Sequence, residues 1–104
     1  MSKKLDYSIE ENQGIVEVVL AGSLDATNAG QLLEEMKKLI GNDIKKINFQ
    51  VADLEYIASA GLRVIIFTKQ KIGRDAEVAL ISPQQEVKDV IKMSGLDNFL
   101  NIEA

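Results

Sequence analysis

The chain has 104 residues, 46% hydrophobic and 27% charged, with a single proline; that is the length and balance of one folded domain able to bury a core, not of a disordered segment. It contains no cysteine and no histidine, which excludes thiol chemistry, disulfides, Cys/His metal centres and a histidine general base. Its net charge is -4, and it lacks the clustered basic face on which nucleic-acid binding depends.

The pairs Lys37–Lys38 and Lys45–Lys46 are short and read as solvated surface charge. Carboxylates alone can hold a metal, but no D-x-[DN]-x-[DN]-G pattern is present. The opening Met-Ser-Lys-Lys-Leu-Asp-Tyr has no apolar core of a signal peptide. No apolar run approaches the roughly 18 residues of a membrane span. A cytoplasmic location is the expectation, with no membrane and no nucleic acid among the partners.

The first expected element is a strand over Leu5–Glu10, followed by a turn at Gln13–Gly14. Ile15–Ala21 is a β-branched run and reads as a second strand, ended by Gly22. Asn28–Ile40 is a helix: Ala29, Leu32, Leu33, Met36, Leu39 and Ile40 recur with helical spacing and make one apolar stripe. Asn28 with Gln31 three residues on fits a capping pattern, with Asp25 and Thr27 as rival caps. Gly41 stops the helix. Ile44–Val51 alternates, with Ile47, Phe49 and Val51 on one side and Lys46, Asn48 and Gln50 on the other, as a half-buried strand does.

Ala52–Ile57 is expected as a connection. A second helix follows from Ser59 to Ile72, with Leu62, Ile65, Ile66 and Ile72 inward and Gly73 at its end. Glu77–Ile81 is a short buried strand. Ser82-Pro83-Gln84-Gln85 has the order of a helix start, with Ser at the N-cap and Pro at the first helical position. That helix carries Val87, Val90 and Ile91 and stops at Gly95. Phe99–Ile102 is a candidate last strand. Met36 and Met93 read as core filler. The order β-β-α-β-α-β-α implies parallel pairs joined by right-handed crossovers, plus a leading antiparallel hairpin. The expected fold class is α/β: a mixed, mostly parallel sheet of four or five strands with helices packed against it.

The chemistry concentrates in Asp53-Leu54-Glu55-Tyr56-Ile57-Ala58-Ser59-Ala60-Gly61-Leu62-Arg63-Val64-Ile65. Ser59 sits where an N-cap belongs, and two small residues follow. First-turn amides have no intrahelical partner, and the helix dipole puts partial positive charge there. Position alone leaves two readings of Ser59: a cap contributing about 1 kcal/mol, or an acceptor whose phosphate those amides accommodate. Asp25 has two readings as well, a cap or turn residue, or a group beside the Ser59 hydroxyl.

The string Leu54-Glu55-Tyr56-Ile57-Ala58-Ser59-Ala60-Gly61-Leu62-Arg63-Val64 resembles the signature of anti-sigma factor antagonists, a STAS family. Gly22-Ser23-Leu24-Asp25-Ala26-Thr27-Asn28-Ala29 resembles that family's Gly–x–Leu–Asp loop before the first helix. Met93-Ser94-Gly95-Leu96 is similar to its Ser–Gly–Leu near the end of the last long helix. The three segments occur in order and the resemblance spans nearly the whole chain, implying one STAS-like domain over residues 1–104.

The resemblance implies a non-enzymatic binding protein. Unphosphorylated members bind an anti-sigma factor, usually a serine kinase of the GHKL type, and so release the sigma factor. Phosphorylation ends binding, and a PP2C-type phosphatase resets it. The matching phosphate acceptor here is Ser59, and Asp25 matches a family aspartate beside that site. Many members carry Asp before the serine and Ser or Thr after it; this chain has Ala58 and Ala60. The residues expected to meet the partner are Asp25, Glu55, Tyr56, Ala58, Gly61 and Arg63, with Thr68 and Gln70 contributing from the exposed side of the second helix. No cofactor is expected.

Two other functions compete. One is a constitutive STAS interaction module in which Ser59 is only a cap, favoured by Ala58. The other is an enzyme, for which the sequence offers no nucleophile–base pair and no G-x-x-x-x-G-K-[ST] loop.

Overall fold

The computed structural model describes residues 4–104. In chain order the elements are β1 (Leu5–Asn12), β2 (Ile15–Leu24), α1 (Ala29–Lys37), β3 (Lys46–Ile57), α2 (Ser59–Phe67), a π turn (Thr68–Ile72), β4 (Glu77–Ile81), α3 (Gln85–Met93), a 3-10 turn (Leu96–Asn98) and β5 (Asn101–Glu103). The strands form one five-stranded sheet in the order β1-β2-β3-β4-β5. β1 and β2 are antiparallel; β2, β3, β4 and β5 run parallel.

The β1–β2 hairpin closes over two residues, Gln13 at φ 53° and Gly14 at φ 85°, the positive pair of a type I′ turn, whose twist matches the strands. Three successive crossovers advance across the sheet in one direction. Right-handed crossovers, the rule for parallel strands, put all the helices on one face. Strand residues alternate accordingly. Val16, Val18 and Leu20, Ile47, Phe49 and Val51, and Val78 and Leu80 are buried, and they share one core with Leu32, Met36, Val64, Ile65, Val87 and Ile91 of the helices. The opposite face is largely polar. There the Glu17 carboxylate accepts from Asn48 Nδ2 at 2.6 Å and Gln50 Nε2 at 2.9 Å. Lys46 stands 3.9 Å from Glu77 and 3.7 Å from Glu103.

Two expected boundaries move. Gly22 does not end β2; at φ 95° it bends it, and the β2–β3 register slips between Val19 and Ala21 and between Gly22 and Ser23. A Cβ at Gly22 would lie 2.0 Å from the Lys4 carbonyl oxygen, so only glycine fits this bulge. The segment Ala52–Ile57 is not a connection but the second half of β3, pairing Asp53 with Ala21, Leu54 with Gly22, Tyr56 with Ser23 and Ile57 with Leu24. β4 leaves the ladder at Gln50–Ile81, so beyond that point β2 is the only strand paired with β3.

The helices also differ from expectation in detail. Asn28 occupies the N-cap of α1 without a side-chain cap bond, so the Asn28/Gln31 capping pattern does not form. Ile40, expected inward, is 51% exposed. After Lys37 the chain tightens, with Leu39 N–H donating to Met36 O at 3.0 Å and Ile40 N–H to Lys37 O at 3.2 Å; this three-residue repeat brings Leu39 under Met36 and swings Ile40 out. In α2 the inward residues are Gly61, Val64 and Ile65, and Ile66 faces outward.

α3 starts at Gln85, not at Ser82. Ser82 has φ 56°, and its N–H still donates to Glu103 O at 2.7 Å, which holds it to the sheet. Gln84 takes the N-cap position but sends its amide to Ala52 O at 3.0 Å. Met93 is not core filler; it is 87% exposed, two residues and about 200° around the helix from buried Ile91. The last strand is Asn101–Glu103, shifted from Phe99–Ile102. Among the described residues, no helix is long and apolar enough to cross a membrane.

Candidate functional site

The site lies where β2 and β3 end, beyond the carboxyl ends of two adjacent parallel strands, the place where α/β sheets present functional groups. Leu24 and Ile57 are the last paired residues of the two strands. Asp25 follows the first by one residue and Ser59 follows the second by two. Ala58 N–H donates to Leu24 O at 2.9 Å, a bond that joins the two strand ends directly.

Ser59 is not the N-cap. That position belongs to Ala58, in an extended conformation at φ -96° and ψ 174°, and its methyl caps nothing. Ser59 is the first residue inside the helix. The Ala58 carbonyl oxygen receives Gly61 N–H at 2.9 Å and Leu62 N–H at 3.1 Å, and the amides of Ser59 and Ala60 precede those first helical bonds. The Ser59 side chain is exposed. The outcome is a hydroxyl in open solvent beside amides that no side-chain cap occupies, at the positive end of the helix dipole.

Gly61 is buried under the strand ends. A Cβ there would stand 2.7 Å from Leu24 Cγ and 2.8 Å from Ile57 Cγ1. The glycine is thus a packing requirement that lets α2 settle onto the two strands. Its contribution to any outer surface is the position it gives Ser59.

Asp25 is half-exposed and belongs to a turn. Its Oδ1 accepts from Thr27 N at 2.9 Å and from Thr27 Oγ1 at 2.5 Å. The Thr27 hydroxyl, and after it the Thr27 amide, hold the Asp25 carboxyl below the usual aspartate value, with slight burial opposing them. Asn28 latches the turn: its Oδ1 accepts from Asp25 N at 3.0 Å and its Nδ2 donates to Ser23 O at 2.9 Å. The turn reading of Asp25 describes what the side chain does. Its bonds go to Thr27, and among the described residues none goes to Ser59.

Around this centre, Tyr56 is 52% exposed, Glu55 and Ala58 are half-buried, and Arg63 is exposed one helical turn beyond Ser59. Glu55 and Tyr56 stand on a strand, not a loop. Gln70 is exposed, whereas Thr68 is buried at 0% and its hydroxyl donates to Val64 O at 2.8 Å. Thr68 therefore cannot touch a docked partner; the stripe that buries Gly61, Val64 and Ile65 carries it inward. Three residues not expected among the site residues also build the site: Leu24 as the floor under Gly61, and Thr27 and Asn28, read from the sequence as helix caps, as the frame of Asp25. Asn28 shows a local signal, a polar residue three after Asp25; Leu24 shows none, because its role depends on a helix 37 positions away.

A sheet covered by helices on one face, with a polar exposed cluster on two adjoining strand ends, defines an α/β module that presents polar groups beyond the carboxyl ends of its strands. The model of the STAS domain matches residues 6–104, and the chain belongs to the STAS domain family. It is 27% identical over 99 residues to BtrV of Bordetella bronchiseptica, covering 94% of this chain and 83% of BtrV. It is 20% identical over 93 residues to the anti-sigma-F factor antagonist RsfB of Mycobacterium tuberculosis, covering 89% of this chain and 76% of RsfB. The unphosphorylated form of the anti-sigma factor antagonist SpoIIAA superimposes with a TM-score of 0.82 at 18% identity, over 95% of this chain and 89% of SpoIIAA. The phosphorylated form of SpoIIAA from Bacillus gives 0.76 at 18% identity, over 95% and 92% of the two chains. The α/β fold expected from the sequence, a mostly parallel mixed sheet with helices against it, is the STAS fold.

Proposed function

We propose that this protein is an anti-sigma factor antagonist, a binding protein rather than an enzyme, whose hold on its anti-sigma factor is ended by phosphorylation of Ser59. The partner is a serine kinase of the GHKL type, and a PP2C-type phosphatase restores the binding form. The observation that carries this reading is the Ser59 hydroxyl, exposed at the uncapped start of α2 beside the Asp25 turn. RsfB and SpoIIAA are named anti-sigma factor antagonists, which supports it.

The mechanism needs only charge and bulk. Asp25, Glu55, Tyr56, Ala58 and Arg63 are the residues that meet the partner with Ser59 in this reading, and Gly61 holds Ser59 at that surface. A phosphate adds about -1.5 to -2 charge, which the free first-turn amides tolerate within the folded protein. Against a partner surface shaped for a hydroxyl, an unpaired buried charge costs about 2–5 kcal/mol. That is about 30- to 4000-fold in affinity.

The test is binding of the wild-type, Ser59→Ala and Ser59→Asp proteins to the anti-sigma factor of the same cell. Ser59→Asp keeps its fold and loses affinity within that range; Ser59→Ala keeps binding and accepts no phosphate. An Asp variant that binds as tightly as wild type overturns the mechanism. A second reading, a constitutive STAS interaction module, rests on Ala58, where many family members carry Asp. Mass spectrometry of the protein from its own cells separates the two: no phosphate on Ser59 under any growth condition favours the constitutive module.

A further inference from the structure

The outward stripe of α2 and the π turn runs Ser59, Arg63, Ile66 and Gln70, all exposed. Their spacing of four, seven and eleven residues keeps them on one side of the helix. At about 1.5 Å per residue the stripe is about 16 Å long. Its far end opens onto a groove of about 330 Å³ between α2 and the chain that follows α3. Leu96 forms the floor at 7% exposure; Ile66 at 36% and Phe99 at 64% form apolar walls. Lys69 and Gln70 line the same groove.

Charge gives this surface a sign. Residues 59–74 contain Arg63, Lys69, Lys71 and Arg74 and no Asp or Glu, in a chain whose net charge is -4. Four of the chain's twelve cations thus fall in this segment with no carboxylate among them: Arg63 on α2, Lys69 and Lys71 on the π turn, and Arg74 just beyond it. Lys69 is already anchored, donating to Gly73 O at 3.3 Å and Ala76 O at 3.4 Å. Arg63, Lys71 and Arg74 are exposed.

We propose that this stripe docks an acidic amphipathic helix of the binding partner, with one large apolar side chain seated between Ile66 and Phe99 and carboxylates facing the exposed cations of the segment, Arg63, Lys71 and Arg74. The inference rests on reading the Ser59 end of α2 as the docking face, and it extends that face to a second anchor at the opposite end. Apolar anchors in pockets dominate helix-in-groove recognition, and opposite charge along the stripe sets register and speeds encounter. A second copy of this chain is a poor occupant, because a symmetric contact through the stripe sets the cations of residues 59–74 against the same cations of the other copy.

The test uses the full chain in its own cells, with a photoreactive benzophenone side chain replacing Phe99 in one variant and Tyr56 in another. Both residues are more than half exposed, so both variants keep the fold. The expected result is one partner captured from both positions, with the peptide joined at position 99 acidic, helical and bearing a large apolar residue. Ile66→Ser then lowers the yield at position 99 by about fivefold or more, the effect of losing an anchor. Capture from Tyr56 alone overturns the groove inference and leaves the Ser59 face standing. So does an adduct at position 99 with a second copy of this chain, with lipid or with a non-acidic peptide. No capture from either position overturns both.

Discussion

The amide of Ala58 donates to the carbonyl oxygen of Leu24 at 2.9 Å. This bond connects the residue before Ser59 to the residue before Asp25, two positions 34 residues apart in the chain. It comes from the parallel ladder that pairs Leu24 with Ile57 and carries that ladder one step past the sheet. Two loops that are independent in sequence thereby share one rigid frame, the arrangement in which loop residues serve recognition.

Ser59→Ala changes stability by no more than about 0.5 kcal/mol, because the hydroxyl caps nothing. Ala58→Ser or Ala58→Asp, at the true N-cap in an extended conformation, stabilises the protein by about 1 kcal/mol. Chemical denaturation of the three variants checks both statements. A loss of about 1 kcal/mol for Ser59→Ala returns that serine to the role of a cap.

Gly61→Ala destabilises by about 1–3 kcal/mol through overpacking, since its Cβ meets Leu24 at 2.7 Å and Ile57 at 2.8 Å. The damage is smaller in a Leu24→Ala background, where the obstructing side chain is gone, and a double-mutant cycle measures that coupling. Additive effects show that the two residues do not compete for the same space.

The Asp25 carboxyl titrates below the ordinary aspartate range, held there by Thr27. A group with a lowered folded pKa adds stability above its unfolded value, near 3.9, and that stability is lost as pH falls through the folded value. Thr27→Val removes the hydroxyl bond and keeps the amide bond, so the pKa returns part of the way. Carbon-detected NMR titration of the Asp25 side chain reads both numbers; an ordinary value in the wild type contradicts the turn geometry.

Thr68→Val loses about 1 kcal/mol, since the buried hydroxyl bonds Val64 O at 2.8 Å. Partner affinity stays at the wild-type level when measured well below the melting temperature. A drop in affinity without a drop in stability places Thr68 at the surface after all.

Much of the architecture was legible in local pattern. The alternation of Ile47, Phe49 and Val51 against Lys46, Asn48 and Gln50 reports a strand with one buried face, and the structure buries the first set. Helical spacing of Leu32 and Met36 does the same for α1. Side-chain periodicity records which way each residue faces, and facing is set within a few residues. The Ser59-Ala60-Gly61-Leu62 string and the Gly22-to-Ala29 string marked both halves of the candidate site in another way, by their resemblance to the anti-sigma factor antagonist signature.

Only the tertiary structure decided how those halves meet. Asp53–Ile57 has no clean alternation, with Asp53 exposed, Leu54 and Ile57 buried and Tyr56 exposed between them; it is a strand because Ala21–Leu24, over 30 residues away, supplies its ladder. Ala58 rather than Ser59 holds the N-cap because Leu24 captures its amide. Ile66 faces out, Thr68 and Gly61 face in, and Met93 stands in solvent according to where α2 and α3 settle on the sheet. Sequence determined the elements and the residues worth watching. Hydrogen bonds and packing between distant segments determined which of those residues share a surface, because such bonds depend on the whole chain's arrangement and leave no periodic trace in either segment alone.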